Sequence, residues 1–214
     1  MDHIPRTWQE KVQPAQTALL IVDMQNDFCA RGGYLQRKRA ESGKHPIQVE
    51  ENERIADRID VLAQAARRAG ATVAWLRSLY DFKYLAEAHI AMREDEGCCL
   101  EGTWGADFFR IRPQEGDLVV DKHTFSGFHQ TSLHGQLQAR GIRTLIMTGV
   151  ATNVCVDSTL RHGFILGYHI VLAEDCVGSG NRAGHEGTLS SVRVNFGAVV
   201  SSAELVQEWE RSAM

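Results

Sequence analysis

Thr17 to Asp23 reads TALLIVD, a near-continuous apolar run of strand length that ends in an acid. A strand with one wet face would alternate apolar and polar residues. A strand apolar at every position is one covered on both faces, as in a parallel sheet flanked by helices. The next periodic segment agrees. Ile55, Ile59, Leu62, Ala66 and Ala69 recur at helical spacing, Glu53, Asp57, Arg58, Arg67 and Arg68 fall elsewhere, and Gly70 stands where the helix should stop.

The same unit repeats down the chain. Strands are predicted at Ala71 to Arg77, Leu118 to Val120, Thr144 to Thr148, His169 to Ala173 and Ala198 to Val200. Helices are predicted at Thr131 to Arg140, closed by Gly141, and at Val154 to Leu166, Arg182 to Val194 and Ala203 to Arg211. Six strands alternating with helices on right-handed crossovers predict a three-layer α/β/α sandwich. Its six-stranded sheet is mostly parallel and doubly wound, in a single domain spanning residues 1–214. With 43% hydrophobic residues in 214, such a core needs no disulfide framework. Cys29 to Glu50 and Leu79 to Glu115 are too long for plain connections and are expected to form pocket walls or lids.

Charge and hydropathy narrow the function classes. Lys plus Arg total 23 against 27 Asp plus Glu, with no basic run beyond Arg37, Lys38 and Arg39, so nucleic acid is excluded as a partner. No stretch reaches the about 18 apolar residues of a membrane span, and Met1 to Glu10 carries Asp2, Arg6 and Glu10 with no apolar signal core. The expectation is a cytoplasmic protein with no membrane partner. The five cysteines, Cys29, Cys98, Cys99, Cys155 and Cys176, form no C-x-x-C, and their odd number leaves at least one free.

In open parallel sheets ligands bind beyond the carboxyl ends of the strands. Asp23 ends the first strand, Lys122 closes the segment DLVVDK, and Cys155 lies just past the fourth strand in GVATNVC. An acid, an amine and a thiol are thus brought to one rim from three distant points of the chain. Thr152 or Asn153 is suited to cap the following helix, which would put the Cys155 sulfur in its first turn, where the helix dipole favours thiolate. Singly, a cysteine is more often a small buried hydrophobe, a lysine a surface charge and an aspartate a cap. Together the three suit acyl transfer: the thiolate attacks an amide-like carbonyl, Asp23 takes the thiol proton and returns it to the leaving amine, and Lys122 holds Asp23. If Lys122 and the helix start already hold a thiolate, Asp23 serves mainly to protonate the amine; the first role is favoured.

Leu20 to Phe28 (LIVDMQNDF), Lys122 to Phe128 (KHTFSGF), Gly149 to Gly163 (GVATNVCVDSTLRHG) and Ala173 to Cys176 closely resemble the isochorismatase-like cysteine hydrolases. The match runs in order over most of the chain. The resemblance implies a catalytic triad of Asp23, Lys122 and Cys155, a cis Val150–Ala151 peptide, and an oxyanion hole from the N–H groups of Ala151 and Cys155. It also implies a homo-oligomer, dimer or tetramer, in which the long segments find packing partners. Nicotinamidase-type members carry an Asp-x-His metal motif after the second strand. Here Leu76 to Phe82 (LRSLYDF) has no histidine, so no metal and no cofactor are expected. Isochorismatase itself lacks the nucleophilic cysteine, so Cys155 points to C–N cleavage. Asp27 to Tyr34 looks like the biuret hydrolase motif, whereas ATNVC and Ser126-Gly127-Phe128 look more like ureidoacrylate amidohydrolase; both cleave a carbamoyl or ureido C–N bond.

The candidate substrate contacts are Gln25, Phe28, Tyr80, Trp104 and Phe128, in segments that should roof the site, where the aromatic residues serve equally as core. Arg31, Arg77 and Arg161 each offer either a carboxylate anchor or a structural ion pair. The substrate class expected is a small amide or ureide. Two rival readings carry less. A dinucleotide oxidoreductase needs a glycine-rich turn after the first strand, where Met24-Gln25-Asn26-Asp27 supplies none, and a non-catalytic relative has no use for the intact triad. Gly178 to Gly184 has its last glycine one residue late for a phosphate loop and reads as a connection, and His123, His129 and His134 read as solvated or satisfied.

Overall fold

The computed structural model describes residues 4–41, 48–92 and 97–212. Its single parallel sheet contains β1 (Thr17–Val22), β2 (Thr72–Ser78), β3 (Leu118–Lys122), β4 (Thr144–Val150), β5 (His169–Gly178) and β6 (Gly197–Val200). The spatial order is β3-β2-β1-β4-β5-β6. The chain therefore builds outward from β1 in one direction, then returns to build outward in the other. The switch falls between β1 and β4, the place where such sheets open a crevice at their carboxyl ends.

Two layers of helices explain why β1 is apolar from Ala18 to Val22. Alternate strand residues point to opposite faces. Leu19 and Ile21 share a core with Ile55, Ile59 and Leu62 of α1 (Val49–Ala69) and with Leu205 and Trp209 of α5 (Ser202–Ser212). Leu20 and Val22 share another with Leu133 and Leu137 of α2 (Leu133–Ala139), Leu160 of α3 (Asp157–Ile165) and Leu189 of α4 (Arg182–Ser191). Each fully buried aliphatic side chain contributes about 1.5–3 kcal/mol, so neither face tolerates a polar residue cheaply. α1 stops where expected, with Gly70 left-handed at φ 84° and its N–H donating to the Ala66 and Arg67 carbonyls.

Some boundaries differ from the sequence reading. β3 runs two residues beyond Val120, so that Lys122 is its last residue, and β5 continues past Ala173 to Gly178 after a register shift opposite Met147 and Gly149. The helix expected from Val154 begins as a widened π turn, Thr152–Val156, before α3. Neither Thr152 nor Asn153 caps it: Ala151 holds the cap position, Thr152 Oγ1 pairs with His185 Nδ1 at 2.9 Å, and Asn153 Oδ1 accepts from Ser179 Oγ at 2.6 Å. Both polar side chains have found partners around α4. A second widened turn, Val192–Phe196, follows α4.

The two long segments carry more structure than irregular chain. The first holds a helix at Tyr34–Glu41, with residues 42–47 outside the described residues, and the second makes short turns at Phe82–Tyr84, Glu87–Ile90 and Trp104–Ala106. They pack on each other within one chain. Asp27 is the latch: its Oδ1 accepts the Tyr34 N–H at 2.9 Å and its Oδ2 the Cys99 N–H at 2.7 Å. Gly105 lies against this carboxylate, where a Cβ would come within 2.1 Å of Oδ2. Among the described residues no helix is long and apolar enough to cross a membrane.

Candidate active site

Asp23 follows β1 directly and adopts a left-handed φ of 51°, uncommon for a non-glycine residue, while its N–H donates to Leu76 O at 3.0 Å. Beside it, Gly149 (φ 103°) lets β4 come so close to β1 that a Cβ would lie 2.0 Å from Val22 O. On the other side Ser78 and Lys122 are register partners at the ends of β2 and β3. Three strand ends thus converge without any long-range loop.

The convergence is dry. Asp23, Ser78 and Lys122 are all fully buried. The Lys122 ammonium donates to Ser78 Oγ at 2.8 Å and Thr124 O at 3.0 Å and forms an ion pair with Asp23 Oδ2 at 2.8 Å. Ser78 Oγ in turn donates to Asp23 Oδ1 at 2.9 Å. Beyond that ion pair, Asp23 Oδ2 accepts no hydrogen bond of ordinary geometry among the described residues. Burial alone would lower the proton affinity of Lys122, but the Asp23 charge, helped by the contact with Cys155, outweighs it and holds the ammonium above the ordinary lysine range.

Cys155 sits in the widened turn after β4, with its thiol interacting with both Lys122 and Asp23. Burial pushes this thiol up to about 12; Lys122 pulls it down and Asp23 pushes it further up. It therefore rests as a thiol at neutral pH. The Val150–Ala151 peptide is cis. The Ala151 carbonyl accepts the N–H groups of Val154 at 3.0 Å and Val156 at 3.3 Å.

The other residues singled out by sequence take several places. Tyr80 OH lies 3.9 Å from Cys155 Sγ, with its ring 5.7 Å from Lys122 Nζ and Phe28 set edge-on against it at 6.3 Å. Burial, then the nearby Cys155 and Asp23, hold the Tyr80 phenol well above its ordinary range, so it stays protonated. Trp104 is half-exposed on the rim. Gln25 is spent on the scaffold: its Nε2 donates to Ser78 O and Ala106 O, both at 2.9 Å, and its Oε1 accepts the Ser78 N–H at 2.7 Å. Phe128 lies in the core, stacked on Tyr168 at 5.8 Å and tilted on His162 at 5.6 Å.

Each candidate arginine already faces a protein carboxylate: Arg31 with Glu50 at 3.0 Å, Arg77 with Asp121 at 2.6 Å and Arg161 with Asp157 at 2.7 Å. His123 Nδ1 pairs with Leu79 O at 2.8 Å and His134 Nδ1 with Tyr168 OH at 3.0 Å. Asp27, Cys98 and Cys99 gather ligand-type atoms within 4.8 Å of one another. That cluster is internally satisfied by the Asp27 latch, and the two sulfurs stand 4.0 Å apart as free thiols. Ser78 is the residue that sequence reasoning passed over. It ends a strand on the same rim as Asp23 and Lys122, so the rule that found them also reaches it.

Residues 17–204 match the Isochorismatase domain family. The chain belongs to the isochorismatase family. The ureidoacrylate amidohydrolase RutB of Klebsiella pneumoniae subsp. pneumoniae is 36% identical over 204 residues, covering 87% of this chain and 84% of the relative. A crystal structure of a cysteine hydrolase from Pseudomonas syringae pv. phaseolicola superposes with a TM-score of 0.84 at 26% identity, covering 99% of this chain and 100% of that one. N-carbamoylsarcosine amidase from Thermoplasma acidophilum superposes at 0.70 with 26% identity, over 87% of this chain and 96% of its own. This isochorismatase-family protein is accordingly a cysteine hydrolase, with the six-stranded α/β/α architecture of its relatives.

Proposed function

We propose that this hydrolase is a metal-independent amidohydrolase that cleaves the carbamoyl or ureido C–N bond of a small substrate of the ureidoacrylate or biuret type. The observation that carries this reading is the buried Asp23–Lys122 contact at 2.8 Å beside a Cys155 thiol that needs a base. The likeness to ureidoacrylate amidohydrolases supports the substrate class.

In this reading Asp23 removes the thiol proton as the sulfur bonds to the carbonyl carbon, and the carbonyl electron pair moves onto oxygen. The N–H groups of Ala151 and Cys155 receive that oxyanion. Collapse of the adduct breaks the C–N bond; Asp23 hands its proton to the leaving nitrogen, and ammonia departs from an acyl-Cys155 thioester. Water then adds, giving a proton to Asp23; the C–S bond breaks, the sulfur regains the proton, and the acid product leaves. Lys122 holds Asp23 in place between turnovers. Tyr80, Phe28 and Trp104 wall the pocket, and the working form is a cytoplasmic homo-oligomer.

Ammonia release from ureidoacrylate, biuret, triuret, N-carbamoylsarcosine and nicotinamide, measured side by side, tests the class. Ureidoacrylate, biuret or triuret is expected to be turned over fastest, without loss after dialysis against a strong chelator. Cys155→Ser is expected to fold normally and lose about a thousandfold or more in turnover, because an unactivated hydroxyl is a poorer nucleophile. Retained turnover in that variant would overturn the mechanism; preference for nicotinamide or N-carbamoylsarcosine would move the substrate class only.

A further inference from the structure

Ser78 stands between the two charges of the site. Its Oγ donates to Asp23 Oδ1 at 2.9 Å and accepts from Lys122 Nζ at 2.8 Å. A hydroxyl has one proton to give, so serving both partners at once fixes its orientation. Its backbone is equally fixed: the Ser78 N–H donates to Gln25 Oε1 at 2.7 Å and the Ser78 carbonyl accepts Gln25 Nε2 at 2.9 Å. Gln25 is tied in turn to Ala106 O, so the strand end, the hydroxyl and the roof segment form one rigid unit.

We infer that Ser78 is a positioning residue, which occupies Asp23 Oδ1 and thereby leaves Oδ2 as the oxygen that takes the Cys155 proton. The inference rests on the proposed roles of Asp23, Lys122 and Cys155. Geometry carries it: Oδ1 is engaged by a neutral donor, whereas Oδ2 is buried in its ion pair with the ammonium and accepts no hydrogen bond of ordinary geometry among the described residues. The titratable groups facing Ser78 are Asp23, Lys122 and Tyr80, whose phenol interacts with the Ser78 side chain, with Cys155 next to them. Cys29 and Cys99 feel the Asp23 charge from further off, and burial keeps both as thiols.

Removing the hydroxyl would take a donor from the carboxylate and an acceptor from the ammonium in a site closed to water. The form with both groups charged is then disfavoured from each side. Ser78→Ala is thus expected to narrow the bell of kcat/KM against pH, with its acid limb moving to higher pH and its alkaline limb to lower pH. The fall at pH 7 is expected to be about ten- to a hundredfold, the worth of a hydrogen bond to a charged group. Ser78→Thr, which keeps the hydroxyl, is expected to restore both limbs. Ser78→Cys, close in size but a weak donor, should behave as Ser78→Ala and serves if the alanine variant folds poorly.

An even loss at every pH with both limbs in place, or a threonine variant as impaired as alanine, would overturn the positioning role. Cys155→Ser run in parallel separates the two failures. An active serine variant would sink the triad itself, while an inactive one beside an unshifted Ser78→Ala would sink only the role of Ser78.

Discussion

Asp23 Oδ2 and Lys122 Nζ stand 2.8 Å apart with no solvent reaching either side chain. Taking both charges out of water is costly, and their mutual attraction offsets that cost only while both are present. Asp23→Asn and Lys122→Met are each expected to destabilise the fold by about 3–5 kcal/mol, since each strands an uncompensated polar group or charge. The double variant should lose clearly less than the sum. Denaturant unfolding of all four proteins reads the coupling, and additive losses would mean that the pair acts as two independent groups.

The buried thiols predict an alkaline weakness. Cys155 and Cys176 are both pushed from an ordinary value of 9.0 to about 12, in each case chiefly by burial. Above pH 9 the unfolded chain releases those protons and the folded chain does not, so stability present below pH 9 is lost as pH rises towards 12. Each thiol adds about 1.4 kcal/mol per pH unit to that fall. Cys155→Ser should show a shallower decline than wild type by about one such increment, measured by denaturant unfolding across the same range. Parallel declines would mean that Cys155 is ionised in the fold.

The sheet is legible because its signals are local: β1 is apolar from Ala18 to Val22 since both faces are covered, and Gly70 marks a stop that any left-handed cap requires. The meeting of Asp23, Lys122 and Cys155 on one rim is legible because the end of a parallel strand has a known address in such sheets. What escaped depends on partners distant in sequence. Thr152 and Asn153 look like caps until His185 and Ser179 arrive to bind them. Asp27 looks like part of a motif until Cys99, 72 residues away, donates to it. Gln25 has the composition of a substrate contact, and only the position of Ser78 and Ala106 shows both ends of its amide in use.

The end of α3 exposes Ile165 at 78%, with Val194 at 77% close to the Phe164–Phe196 ring pair. An apolar surface of this kind suits contact with a second copy. The long segments already pack on each other within the chain, so assembly is expected to rest on surfaces of this sort rather than on the roof. Sedimentation is expected to give a multiple of 23.8 kDa, and Ile165→Asp to lower it. A single-chain mass for wild type at working concentration would reject the oligomer.

Thiol reactivity separates the roles of Asp23 and Lys122. From the sequence alone, losing the base in Asp23→Asn is expected to move alkylation of Cys155 to higher pH. The site's electrostatics reverse that sign: the Asp23 charge pushes the thiol up and Lys122 pulls it down. Iodoacetamide should therefore alkylate Asp23→Asn at lower pH than wild type, and Lys122→Met at higher pH. Amide turnover should nevertheless collapse in Asp23→Asn, because a thiolate attacking an amide still needs a proton delivered to the leaving nitrogen, and asparagine has none to give. A variant that gains thiol reactivity while losing turnover would assign Asp23 to proton transfer. One that keeps both at wild-type levels would remove Asp23 from the mechanism and leave Cys155 as its nucleophile.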